Sequence, residues 1–185
     1  GVALREAIAA GRIKALLMLG DGPDSLLDAL PGNRPFTLFA GERLDWGMSD
    51  RVDLALPMPD ALERNGTLTN ADRLISRQRP VFAPPGEARP AWWIMTQIAR
   101  AMGWRSAFHY EHPADIYREH ARLTAYQNDG SRLFDLRRHA SISNPAYDEL
   151  TPWRWGGAPF DEGHFPTPDG RARLARRIDA VWRRQ

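Results

Sequence analysis

Cysteine is absent from this sequence, and that one absence closes off several chemistries. No disulfide, thiolate nucleophile, zinc–cysteine site or iron–sulfur ligation can arise from these residues. Lysine is nearly absent too. Lys14 is the only one, so the isoelectric point near 9.4 is an arginine property. The formal net charge is only +2, which gives no electrostatic case for nucleic acid. No apolar run approaches the roughly 20 residues of a membrane-spanning helix, and the first residues lack the charged-then-apolar pattern of a signal peptide. An export signal on a longer parent would lie outside this stretch.

What is present suits a soluble α/β protein: 43% hydrophobic and 26% charged residues are ordinary for a globular chain. Residues Val2 to Ala10 read as an amphipathic helix with Leu4, Ala7 and Ile8 inward and Gly11 as its stop. Ile13 to Leu19 is an apolar run of strand length, followed by the tight loop Gly20-Asp21-Gly22-Pro23. A short helix through Leu26, Leu27 and Leu30 comes next, then strands over Phe36 to Ala40 and Val52 to Leu56. Strand, glycine turn, helix, strand is the grammar of a parallel sheet, whose ligands sit at the carboxyl ends of the strands. That rule puts Gly20–Pro23, Gly41–Glu42 and the segment after Pro57 on one edge.

The stretch from Glu63 to Trp104 changes character three times. Asn65 to Arg73 is polar and turn-rich. Arg79 to Pro90 is a connector in which Pro80, Pro84, Pro85 and Pro90 exclude a helix or central strand. From Pro90 an amphipathic helix is expected, with Ala91, Ile94, Met95, Ile98, Ala101 and Met102 on one face and Gly103 as stop. Such a series suits a segment laid over a larger surface, with Trp92, Trp93, Trp153 and Trp155 expected in an exposed apolar patch. His109 and His112 invite a metal reading, but no third ligand shares their spacing.

The run Glu63-Arg64-Asn65-Gly66-Thr67-Leu68-Thr69-Asn70-Ala71-Asp72-Arg73, then Pro84-Pro85-Gly86-Glu87-Ala88-Arg89-Pro90-Ala91-Trp92-Trp93-Ile94, resembles the molybdopterin oxidoreductase superfamily. The likeness is strongest to catalytic subunits of assimilatory nitrate reductases and cytoplasmic formate dehydrogenases. Those enzymes share an E-x-x-G-T-x-T-N-x-[ED]-R run followed by P-G-E-A-R-P-D-W-W-I. Pro113 to Thr124, Tyr147 to Trp155 and Phe165 to Arg173 also resemble family segments, the last favouring the nitrate reductase branch.

The resemblance implies a three-layer α/β fold with a short, mainly parallel sheet, flanking helices and a helical or irregular C-terminal extension. Residues 1–78 would form a Rossmann-like cofactor-side domain, 79–90 the proline-rich connector, and 91–185 an extension packing on the same domain. It further implies a molybdenum-bearing molybdopterin guanine dinucleotide in a longer parent, with nitrate as substrate and the remaining parent domains as partners. Gly20, Asp21, Gly22, Pro23, Glu42, Thr67 and Thr69 are the cofactor-side residues it points to. Glu42 would accept hydrogen bonds from the guanine edge, in place of the family's usual Asp. Several positions depart from the pattern: Gly22 stands for Asn, Trp46 for Thr and Ala61 for Trp. The metal's own ligand and the iron–sulfur cysteines belong to other parts of such an enzyme. No catalytic or metal-binding residue is therefore expected here, and the 185-residue chain is expected to be inactive, with its cofactor site empty. A cytoplasmic location is expected, with neither nucleic acid nor membrane as partner. Three alternatives stay open. One is a formate dehydrogenase parent; another is a cofactor-free structural relative, like the large iron–sulfur subunit of respiratory NADH dehydrogenase. The third is an arginine-rich anion- or nucleic-acid-binding module.

Overall fold

A computed structural model describes residues 2–20, 34–43, 50–157, 163, 165 and 167–174. The chain divides into two compact units. One comprises Gly1–Thr67 with Arg77–Ile116, the other Leu68–Ser76 with Tyr117–Gln185.

The first unit opens with helix α1, Val2–Ala9, which buries Ile8 and ends where Gly11 adopts a left-handed φ of 67°. Strands β1 (Ala15–Leu19), β2 (Phe36–Gly41) and β3 (Leu54–Pro57) form a parallel sheet in the order β1-β2-β3. β2 is central, which is why Thr37, Phe39, Ala40 and Gly41 are buried while the outer strands keep Leu17, Leu19 and Leu54 exposed. The register sets Met18 beside Phe39, and these pack together with Leu16 and Val52. The opposite face, bearing Leu38, Ala40 and Leu56, packs against helix α2, Ala91–Ala101, through Ala91, Ile94 and Ile98. At the amino end of the sheet Asp53 takes two hydrogen bonds from Arg34, at 2.5 and 3.1 Å, and one from the Thr37 N–H at 2.7 Å. Those donors, Arg34 first, hold its carboxyl below the ordinary aspartate value.

Helix α2 departs from its expected pattern in detail. Pro90 is extended and precedes the helix instead of forming its first turn. The buried stripe is Ile94, Thr96 and Ala99, whereas Met95, Ala101 and Met102 are exposed, because Ile94 is what docks on Ala40 and Met58. Thr96 avoids a buried unpaired hydroxyl by donating to the Trp92 carbonyl at 2.7 Å. Gly103 adopts φ 95° directly after the Met102 cap, and ends the helix as expected. The connector is fastened at both ends: Val81 N–H donates to Leu62 O at 2.7 Å, and Arg89 N–H to Pro57 O at 3.1 Å. Connector and α2 lie within the first unit.

The polar run after Asn65 is not a simple loop. It folds into β4 (Gly66–Thr69) and β5 (Leu74–Gln78), with β6 (Trp153–Arg154) completing a second sheet in the order β4-β5-β6. Asn70 makes the turn, its Oδ1 accepting from Leu74 N–H at 2.9 Å. Within the second unit β5 pairs antiparallel with β6, Leu74 opposite Arg154 and Ile75 opposite Trp153.

Helix α3, Pro113–Ala125, contributes its residues from Tyr117 onward to this second unit. There Asn128, 1% exposed, organises the chain after the helix. Its amide donates to the carbonyls of Thr124, Arg132 and Phe134, and its oxygen accepts from Arg132 N–H. A single 3₁₀ turn, Arg137–His139, and the short helix α4, Asn144–Asp148, bring His139 and Tyr147 against Tyr117. Trp153 and Trp155 are only half exposed, packing edge-on to His139 and Phe134. Of the four tryptophans expected at the surface, only Trp93 is exposed. Connector residues Val81 and Phe82 are instead among the exposed apolar side chains. The expected short helix through Leu26, Leu27 and Leu30 and the departure at Trp46 lie outside the described residues.

Candidate functional site

A parallel sheet brings all its strand carboxyl ends to one rim. Here Gly20 follows β1, Glu42 follows β2 and Met58 follows β3. Backbone bonds from Gly20 N–H to Ala40 O and from Met58 N–H to Gly41 O, each 2.9 Å, tie these ends together. Gly20, Glu42 and Met58 line one cleft of about 390 Å³, walled also by Leu19, Pro59, Arg64, Asn65, Gln78 and Trp92. That volume lies within the usual range for small-molecule sites.

Two glycines shape the rim. Gly20 has φ 92°, a conformation that side-chain-bearing residues rarely adopt, and among the described residues nothing lies within 4 Å of where a Cβ would stand. The backbone is open there to close approach. At Gly41 a Cβ would overlap the ring of Phe39, whose side chain lies beneath it. Glycine at 41 thus lets Phe39 fill the core while Glu42 emerges at the rim.

The carboxylate of Glu42 is ion-paired with the guanidinium of Arg64. Neither group is sequestered, at 25% and 37% side-chain exposure, so solvent screens the pair. Arg64 is aimed by a second bond, from Nε to the Pro59 carbonyl at 3.0 Å. Its neighbour Glu63 is occupied elsewhere, accepting from Asp60 N–H at 2.8 Å. Arg77 steadies the entry to β4 by donating to the Gly66 carbonyl and, at 2.7 Å, to Asn65 Oδ1. Gln78 closes the side of the cleft with a 2.8 Å bond to the Ala61 carbonyl.

The structure thus brings two sequence-derived candidates together, Gly20 and Glu42. Asp21, Gly22 and Pro23 lie outside the described residues. Thr67 and Thr69 sit on β4, half-buried and exposed, and do not line this cleft. Arg64, which meets Glu42 directly, was not singled out from the sequence, because it occupies an unspecified position of the E-x-x-G-T run. His112 Nδ1 accepts from Ala114 N–H at 3.1 Å, capping α3, and His109 lies 3.2 Å from the Ser106 carbonyl. Among the described residues no three His, Cys, Asp or Glu side chains are grouped as a metal site.

Architecture and rim together define an α/β domain with a ligand-sized cleft at the carboxyl ends of a parallel sheet. Comparison with known proteins gives the family. A molybdopterin oxidoreductase model matches residues 44–101. The nitrate reductase of Klebsiella oxytoca is 38% identical over 164 residues, covering 84% of this chain and 19% of that protein. The nitrate reductase of Shewanella frigidimarina is 31% identical over 193 residues, 94% of this chain and 20% of its own length. A Bacillus subtilis protein provisionally named a formate dehydrogenase is 28% identical over 192 residues, 94% of this chain and 17% of that protein. Among solved structures, acetylene hydratase from Pelobacter acetylenicus shares the fold, with a TM-score of 0.58 at 17% identity over 92% of this chain and 23% of that one. The chain belongs to the molybdopterin oxidoreductase family, whose cofactor is a molybdopterin carrying molybdenum. It spans about a fifth of the length of the curated relatives it matches. No helix among the described residues is long and apolar enough to cross a membrane.

Proposed function

We propose that this chain is a cofactor-side domain of a nitrate-reductase-type molybdenum enzyme, and that its cleft holds the guanosine tail of a molybdopterin guanine dinucleotide. The observation that carries the reading is the place of Glu42, a carboxylate at a strand's carboxyl end, sharing a cleft with the open backbone of Gly20. Guanine presents two adjacent donors, N1–H and N2–H, and an ionised carboxylate is an acceptor with two oxygens. The acceptor oxygens of Glu42 therefore fit a guanine edge, and Trp92 and Met58 supply apolar wall for the ring. The likeness to nitrate reductases over most of the chain favours nitrate for the whole enzyme. When bound, the cofactor supplies the metal centre at which nitrate is reduced by two electrons with oxygen transfer. The role of these residues is to bind and orient the nucleotide end. They contribute no proton or electron to that step.

The test is a titration of the 185-residue chain with GDP and ADP, followed by NMR or calorimetry. A charge-assisted hydrogen bond contributes about 1.5–3 kcal/mol, so GDP should bind more tightly than ADP, at about millimolar level for half a site. Glu42→Gln leaves one acceptor oxygen and should remove that preference. Equal binding of GDP and ADP, or an unchanged preference in Glu42→Gln, would sink the guanine assignment and favour a cofactor-free structural domain.

A further inference from the structure

We infer that Arg64 is the second half of the base reader and recognises the six-position oxygen of the purine. The Glu42–Arg64 pair would then select 2-amino-6-oxopurine nucleotides. This inference rests on the guanine role proposed for Glu42 and extends it to a residue that role does not require. The two side chains meet inside the cleft, both partly exposed, as an acceptor-only group beside a donor-only group. Guanine's reading edge has the complementary order: two donors, N2–H and N1–H, next to one acceptor, O6. A guanidinium is a known partner of guanine O6: in the DNA major groove Arg commonly donates to O6 and N7 together.

Position and orientation support the assignment. The Nε bond to Pro59 O holds the guanidinium at the rim. Pro59 itself is fully buried, so its carbonyl is a fixed anchor. The adjacent acid Glu63 is bonded to Asp60 N–H and leaves Arg64 to Glu42. A guanidinium has five N–H donors, so the bonds to Pro59 and Glu42 leave further donors for a ligand oxygen. Glu42 alone would accept any ring with adjacent N–H donors. Arg64 adds a check at the sixth position: an adenine amine there would face a cation that can only donate.

Two GDP analogues separate the two residues. Inosine diphosphate lacks the 2-amine and keeps O6, so it reports on Glu42. 6-Thio-GDP keeps N1–H and the 2-amine but replaces O6 with a weak acceptor, so it reports on Arg64. With the 185-residue chain, both should bind less tightly than GDP. Loss of the O6 contact at this exposed position should cost about fivefold, the low end for a base contact of this type. Arg64→Met should weaken GDP by about the same factor, equalise GDP and 6-thio-GDP, and leave the preference for GDP over inosine diphosphate intact. Two outcomes overturn the inference alone: a wild-type chain that binds GDP and 6-thio-GDP equally, or an Arg64→Met variant that binds GDP as well as or better than wild type. The second would make Arg64 only a competitor for Glu42. Equal binding of GDP, inosine diphosphate and ADP, or no binding of any, overturns the underlying reading of Glu42. The wild-type comparison decides the question even if Arg64→Met does not fold.

Discussion

The hydroxyl of Tyr117 lies 2.7 Å from Nδ1 of His139, with both side chains buried in the second unit. Burial first, and then the charge of Arg138, hold the imidazole below its ordinary value. The tyrosine is pushed up to about 12, mainly by burial, so it keeps its proton. Trp153 stands edge-on to the imidazole at 4.9 Å, with Arg138 over the indole at the same distance, and Tyr147 flanks Tyr117. An imidazolium there would be stripped of solvent by burial and would face the charge of Arg138.

A pH dependence follows with a definite sign. The unfolded chain takes up a proton at His139 near pH 6.5, whereas the folded chain resists it. The stability contributed by neutral His139 is fully present above about 6.5 and is lost as the pH falls below that value toward the folded pKa. Urea midpoints measured at pH 7.5 and 5.5 should fall for the wild type. They should fall less for His139→Gln, which retains an acceptor and does not titrate. An identical fall in the variant would show that His139 is not the group responsible.

Asn128 makes four hydrogen bonds to backbone in a buried position, and Arg137 donates to its own carbonyl. Asn128→Ala leaves those backbone groups unpaired and should cost about 1–3 kcal/mol. Asn128→Asp should also destabilise, because it loses the donor to three carbonyls and keeps only the acceptor. Chemical denaturation of the three proteins checks this. An Asp variant as stable as the wild type would mean that the donor bonds contribute nothing net.

At Gly41 the added methyl of Gly41→Ala would meet the Phe39 ring, which is 3% exposed and has little room to turn. The expected loss is about 1–3 kcal/mol, as for overpacking elsewhere. Combining it with Phe39→Leu, which withdraws the ring, should give a loss smaller than the sum of the two single changes. Strict additivity in that double-mutant cycle would place the cost of Gly41→Ala outside this contact.

Much of the first unit was legible because its signals are local. The apolar runs at Ile13–Leu19 and Phe36–Ala40 are too short for helices and each ends at a glycine; they hold the observed strands Ala15–Leu19 and Phe36–Gly41, paired in parallel as their spacing implied. Helix α2 was legible in extent, but its buried face only in part: Ala91, Ile94 and Ile98 pack on the sheet as expected, and Met95, Ala101 and Met102 do not. Periodicity marked Met95 and Met102 as equivalent to Ile94, and only the position of Ala40 and Met58 decides between them. The hairpin in the polar run was missed because Gly66-Thr67-Leu68-Thr69 has the composition of a turn. Its pairing to Trp153–Arg154 lies far along the sequence. Buried His139 was hidden in an Arg-Arg-His run that reads as a charged surface; its partner Tyr117 is 22 positions earlier.

The pairing of Ile75 with Trp153 also sets an order of events during synthesis. The strand bearing Ile75 leaves the ribosome almost eighty residues before the segment that completes its sheet. At about 5–20 residues per second that interval is roughly 4–16 s. Throughout it the edge of β5 that will receive β6 presents open backbone donors and acceptors, a template for any other extended chain nearby. Slow translation would lengthen that exposure, and aggregation of nascent chains should rise with it.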